Sequence, residues 1–249
     1  MLPIQVLLLT SRPQVPENIA KLKVIVYKSR VDAATLKQKA EKIKNELFVK
    51  RFSKPNPEDI HVVSVDKHYE PYVVVDAKYK IEYYNKKVYS IEVAEKAEEV
   101  KILGESIKPQ MVPVLNSEQE QFRKVISLEG QELFVYEDKA YFILDNSGKE
   151  ISPDQMPIAP SEESPQKILK QFGKNTEKVK IPNREVLLMA KSRLIKRPEN
   201  VGTVGNELFQ VTEHALIYSP FYKITFRNMK DNKEETVSID GITAEIRKK

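Results

Sequence analysis

Leu36, Ala40, Ile43 and Leu47 follow one another in steps of four, three and four residues, a spacing that puts them on one face of a helix. Asp32 stands where an N-cap belongs, and the Pro-punctuated "SKPNPED" stops the run. On either side the period changes. Ile4–Leu9 and Val24–Tyr27 are short apolar runs joined by "SRPQVPENIAK" and predict two strands. Ile60–Val65, Tyr72–Tyr84 and Val88–Val93 predict three more, the last two parted by a turn at "NKK", and Val100–Leu103 adds another.

The segment "GESIKPQMVPVLNSEQEQ" carries Gly, Pro and polar residues and marks a boundary. Beyond it, "KVISLEGQELFVYEDKAYFILDNSGKEI" breaks at "EGQ", "EDK" and "NSG", which predicts a meander of three or four strands. A second Pro-rich linker follows. Ser164 and Pro165 then form a cap and first turn for a short helix closing at Gly173. Leu187, Ala190 and Leu194 define the face of a last helix, with Asn183 as its expected cap and Pro198 as its stop. Strands are expected at Glu207–Thr212, Tyr222–Arg227 and Thr236–Asp240, the last ending in the hairpin signal Asp240-Gly241.

Two stretches resemble each other. "HYEPYVVVDAKYKIEYYN" and "HALIYSPFYKITFRN" both run from a His through a Pro-aromatic neighbourhood to Tyr-Lys-Ile, at Tyr79–Ile81 and Tyr222–Ile224. A helix precedes each. The expected fold class is therefore α+β: two related small lobes, each a helix on an antiparallel sheet, produced by internal duplication and separated by a central β-meander. The boundaries fall at 1–104 for the first lobe with its N-terminal strands, 105–160 for the linker and meander, and 161–249 for the second lobe.

Composition narrows the class without naming a function. With 249 residues, 41% of them hydrophobic, the chain has enough apolar material for a sizeable core. No Cys is present, which removes disulfides, thiolate nucleophiles and Cys-type zinc sites. No stretch approaches the roughly 18 apolar residues of a membrane span, and the opening residues lack a basic leader and a cleavage site. A cytoplasmic protein without membrane contact is expected. The Lys- and Glu-rich, Cys-free composition leans toward that of thermophiles.

Catalytic motifs are missing. Seven Gly form neither a phosphate-binding loop nor a dinucleotide fingerprint, and no nucleophile elbow occurs. His61, His68 and His214 have no metal-ligand spacing. Neither enzymatic activity nor a cofactor is expected. Charge, by contrast, is segregated. Lys21–Lys54 holds 11 Lys/Arg against 3 Asp/Glu, Lys167–Arg197 holds 10 against 2, and the total is +5, so the remainder carries −11.

Lys37, Lys39, Lys42, Lys44, Lys50 and Arg51 on the first helix, with Lys191, Arg193, Lys196 and Arg197 on the last, are the candidate binding residues. Such side chains neutralise phosphates without reading sequence. The expectation is a non-catalytic binding protein that engages a phosphate-rich partner, RNA or a ribonucleoprotein such as the ribosome. The alternative is a protein–protein adaptor or assembly factor with two equivalent docking lobes, or a homodimer, using the edges of small open sheets.

Overall fold

A computed structural model describes residues 15–49, 56–114 and 121–247. The expected strand Ile4–Leu9 and the candidate residues Lys50 and Arg51 lie outside the described residues. In chain order the elements are β1 (Glu17–Ile19), β2 (Lys23–Val26), α1 (Ala33–Phe48), β3 (Ile60–Glu92), β4 (Val100–Ile102), β5 (Glu105–Ile107), β6 (Gln110–Pro113) and β7 (Phe122–Leu144). There follow β8 (Glu150–Ile151), α2 (Pro165–Gln171), α3 (Asn183–Leu194), β9 (Thr203–Asn228), β10 (Glu234–Asp240) and β11 (Ile246–Arg247). The protein is mixed α+β with a large, mostly antiparallel sheet in the order β11-β10-β9-β3-β7-β6; β4 and β5 form a separate hairpin.

The chain divides into two units. One comprises 79–138 and 196–208 together with the N-terminal residues to Pro16, and the other comprises 17–78, 139–195 and 209–249. The boundaries at 78/79, 138/139 and 208/209 fall inside β3, β7 and β9. Of the two stretches that resemble each other, 68–78 and the whole of 214–228 lie in the second unit and only 79–85 in the first, and the duplication is not shown.

Three expected turns are strand instead. β3 runs unbroken through "NKK", and β7 runs through "EGQ" and "EDK", so the meander is one long strand closed by the short β8. Tight hairpins need a residue with positive φ. Gly148 of "NSG" supplies one at φ 84°, and the chain turns there. Gly130 of "EGQ" stays extended for a different reason: the Tyr89 ring covers it, and a Cβ would lie 2.9 Å from that ring.

In the second unit, α1 forms as expected. Asp32 accepts the Thr35 N–H at 2.9 Å, and Leu36, Ala40 and Phe48 are buried against Ile60, Tyr222, Ile224, Phe226, Val237 and Ile239. The helix α2 packs Ile168, Leu169 and Phe172 against Val26, Tyr69 and Tyr218. The helix α3 begins after Pro182, which takes the cap position expected for Asn183, and buries Val186, Ala190 and Leu194; Leu187 is half-buried. Along β9 three partners follow in turn: β1 at Phe209–Val211 and β2 at Ala215–Tyr218, both parallel, then β10 at Phe221–Arg227, antiparallel. Asp240 closes the expected Asp-Gly hairpin, its Oδ1 accepting from Ile242 N–H at 2.8 Å and Thr243 N–H at 3.0 Å.

Candidate binding surfaces

The lysines of α1 do not share one face. At about 100° per residue, Lys37 and Lys44 flank the buried stripe on one side, and Lys39 and Lys42 flank it on the other. Lys44 is already engaged, donating to the Ile60 carbonyl at 3.0 Å and pairing with Glu41 at 3.1 Å. Lys37, Lys39 and Lys42 are exposed and make no ion pair among the described residues.

The C-terminal candidates are mostly neutralised. Lys191 pairs with Glu17 at 2.6 Å and lies over the Phe209 ring. Arg193 pairs with Glu150 at 2.5 Å and stacks 4.6 Å from the Phe142 ring centre; the hydrogen bond from the guanidinium, aided by its charge, lowers the Glu150 pKa against the cost of burial. Arg197 belongs to the first unit, where it holds Glu207, while Lys196 is exposed.

That Glu207 carboxylate is the polar centre of the first unit. Tyr79 donates to its Oε1 at 2.6 Å, Arg197 Nε donates to the same oxygen at 2.8 Å, and Arg197 Nη2 donates to Oε2. Burial raises the Glu207 pKa, but the Arg197 and Tyr79 hydrogen bonds outweigh it, so the net shift is downward. The Tyr79 hydroxyl moves up, through burial first and its bond to Glu207 second. Beside this triad, Tyr83 stacks on Phe134 at 5.5 Å and Tyr89 donates to Glu132 at 2.9 Å, tying β3 to β7. Most aromatics that sequence marks in the two similar stretches are core, but Tyr84 and Tyr89 remain exposed. With them on this thin sheet stand Val88 at 60% exposure, Leu133 at 54% and Val135 at 57%.

The second unit carries a groove of about 490 Å³ lined by Glu70, Tyr72, Asp154, Asp240, Glu245 and Arg247, among others. Its central polar groups satisfy each other. Arg247 pairs with Glu70 and, at 2.9 Å, with Asp240, and Tyr72 donates to Glu70 at 3.0 Å. No group of His, Asp or Glu that could hold a metal ion occurs among the described residues. No helix among them is long and apolar enough to cross a membrane.

The histidines are dispersed. His61 is exposed, His68 stacks on Phe221 at 5.4 Å, and His214 is 2% exposed with no hydrogen-bond partner for Nε2. Burial pushes the His214 pKa below its ordinary 6.5; burial and then Lys223 do the same to His68. In both cases the unfolded chain binds the proton more readily. Their contribution to stability is therefore complete above pH 6.5 and is lost as pH falls below it. Denaturant titrations at pH 7.5 and pH 5 should show lower stability at the acid value, and His214→Gln should shrink that difference. An unchanged difference would assign it to other groups.

Comparison with protein families, with curated proteins and with solved structures found no match for this chain. The surface of the first unit escapes sequence reasoning because its exposed apolar residues look like ordinary strand interior. The available signal was the run from Ile126 to Asp138, which contains four carboxylates and no Lys, Arg or Pro. That run means something only once "EGQ" is known to be strand.

Proposed function

We propose that this is a non-catalytic binding protein, an adaptor or assembly factor, that docks another protein on the β3–β7 sheet of the first unit. The observation that carries the reading is the exposure of Val88, Leu133 and Val135, with Tyr84, on regular strands. Contiguous exposed apolar side chains on a stable sheet mark interaction surfaces. The unit is also acidic: Tyr79–Asp138 and Lys196–Leu208 together hold 10 Lys/Arg and 14 Asp/Glu, a net −4. Docking is assigned to this unit alone, since two equivalent lobes would require the duplication. A photo-crosslinking residue at position 133 should capture a discrete partner in native extract, and one at Lys39 should not. Equal capture at both positions, or none at 133, would sink the reading.

A second reading keeps the phosphate-rich partner, RNA or a ribonucleoprotein, and rests on Lys37, Lys39 and Lys42 having no ion pair among the described residues. Three phosphate contacts would give a log–log salt slope of about −2 to −3, which is roughly a twentyfold to fortyfold loss between 50 and 200 mM salt. Titrating single-stranded and duplex RNA across that range, with Lys39→Glu/Lys42→Glu as the variant, tests it. A slope near zero, or an unaffected variant, removes it.

A further inference from the structure

In the second unit, the chain from α2 to the start of α3 forms one layer over a face of the sheet. Ile168, Leu169 and Phe172 pack on Val26, Tyr69 and Tyr218. Val179, Ile181 and Val186 border a cavity of about 160 Å³ with Val73 and with Leu216, which itself packs on the α2 cluster. Two bonds to β3 fix the middle of the layer: Glu177 N–H donates to the Tyr69 carbonyl at 2.9 Å, and Asn175 Nδ2 donates to the Lys67 carbonyl at 3.2 Å.

With the apolar side chains turned to the sheet, the outward side is left to cations. Lys167, Lys170, Lys174, Lys178, Lys180 and Arg184 are all exposed, and none makes an ion pair among the described residues. On α2 the two lysines lie about 150° from the centre of the buried face, at about 100° per residue. Beyond it burial alternates, so Lys178 and Lys180 stand exposed on either side of half-buried Val179. The single acid within Lys167–Arg184 is Glu177, and its carboxylate is taken. Its Oε2 accepts from Asn146 at 2.9 Å, and its Oε1 lies 3.7 Å from Lys223 Nζ. Glu163 and Glu185 flank the run in sequence. Lys191, Arg193 and Arg197 are neutralised by folded neighbours; these six are not.

The composition of the surface selects its partner. No large apolar side chain is exposed between Ser161 and Leu187. Protein interfaces centre on aromatic and apolar anchors and are poor in Lys, and a membrane-surface helix needs an apolar face to insert. Nor is there an exposed ring on which an unpaired base could stack. Five Lys and one Arg on a fixed layer suit a dense array of phosphates, and a duplex carries one charge per about 1.7 Å of its axis.

We propose that the outward face of the α2–α3 layer binds the phosphate backbone of a nucleic-acid duplex without reading its sequence. The cations neutralise phosphates and release condensed counterions, and no base contact is needed. This surface is independent of protein docking on the first unit and of the lysines of α1.

The test is a fluorescence-anisotropy titration of the full chain with a labelled DNA duplex of about 20 base pairs, from 50 to 200 mM salt. With all six cations engaged, the log–log slope should be about −5, roughly a thousandfold loss of affinity over that range. Lys178→Gln with Lys180→Gln should flatten the slope by about 2, and Lys39→Gln with Lys42→Gln should leave it unchanged. All four positions are exposed, and circular dichroism should show the fold intact. No binding at 50 mM salt, or a slope that the Lys178/Lys180 variant does not change, overturns the proposal. Flattening by the α1 variant alone moves the site to α1 and overturns it too. Polyglutamate that displaces the duplex at equal charge makes an acidic protein the occupant, and phosphatidylserine vesicles that do so make it a membrane; either result overturns the assignment.

Discussion

Replacing Glu207 by Leu is expected to lower stability by about 2–3 kcal/mol, with the damage confined to the first unit. The estimate weighs two effects. The Tyr79 hydroxyl, fully buried and bonded to Glu207, loses its acceptor, and an unsatisfied buried donor costs about 1–3 kcal/mol. Arg197 loses its carboxylate too, but its side chain is 34% exposed and can rehydrate, so it adds little. Tyr79→Phe removes one hydrogen bond and leaves the ion pair, which should cost about 1 kcal/mol. The pH dependence has a definite sign. Glu207 has a lowered pKa in the folded chain, so its contribution is present at neutral pH and is lost as pH falls through its unfolded value of 4.5 and below. Glu207→Leu should abolish that part of the acid sensitivity. Hydrogen exchange checks the location: amides of 79–92 and 122–138 should exchange faster, and those of α1 should not. Uniform acceleration across both units would show that the triad does not act locally.

Phe226→Ala should cost about 3–5 kcal/mol, the usual range for truncating a fully buried aromatic. Phe226 is 0% exposed and lies in the cluster that holds α1 to β9 and β10 through Leu36, Ala40, Phe48, Ile224, Val237 and Ile239. Among the described residues this is the helix's one buried face, so the cavity sits beneath its main packing contact with the sheet. For a chain of this size each kcal/mol corresponds to about 2–4 °C in Tm, so a fall of roughly 10 °C is expected. Exchange at Ala33–Phe48 should accelerate most. Leu188→Ala on α3, where the side chain is half exposed, serves as the control and should stay within about 0.5 kcal/mol. A loss of less than about 1 kcal/mol in Phe226→Ala would mean that the cluster closes over the gap and that α1 is held by other contacts.

Phe226→Ala lies outside the first unit, so it separates stability from docking. Leu133 and Val135 are more than half exposed and contribute little to the fold by burial. Their exposure fits a role in binding that stability measurements do not report.

The amino-acid sequence by itself determined the helices and the content of the core. Apolar spacing places α1 and its Asp32 cap, and Ser164-Pro165 marks α2, because helix periodicity and capping are local properties of a dozen residues. The aromatics of the two similar stretches are mostly core, as strand propensity implies. Tertiary structure decided what local signals leave open. "NKK", "EGQ" and "EDK" have turn-like composition, yet neighbouring strands supply hydrogen bonds that keep them extended, and Tyr89 fills the space over Gly130. Charge shows the same division. Net charge per segment is read directly from the chain, but whether a cation is available depends on what folds beside it. Glu17, Glu150 and Glu207 are each distant in sequence from at least one element they serve, and they neutralise Lys191, Arg193 and Arg197.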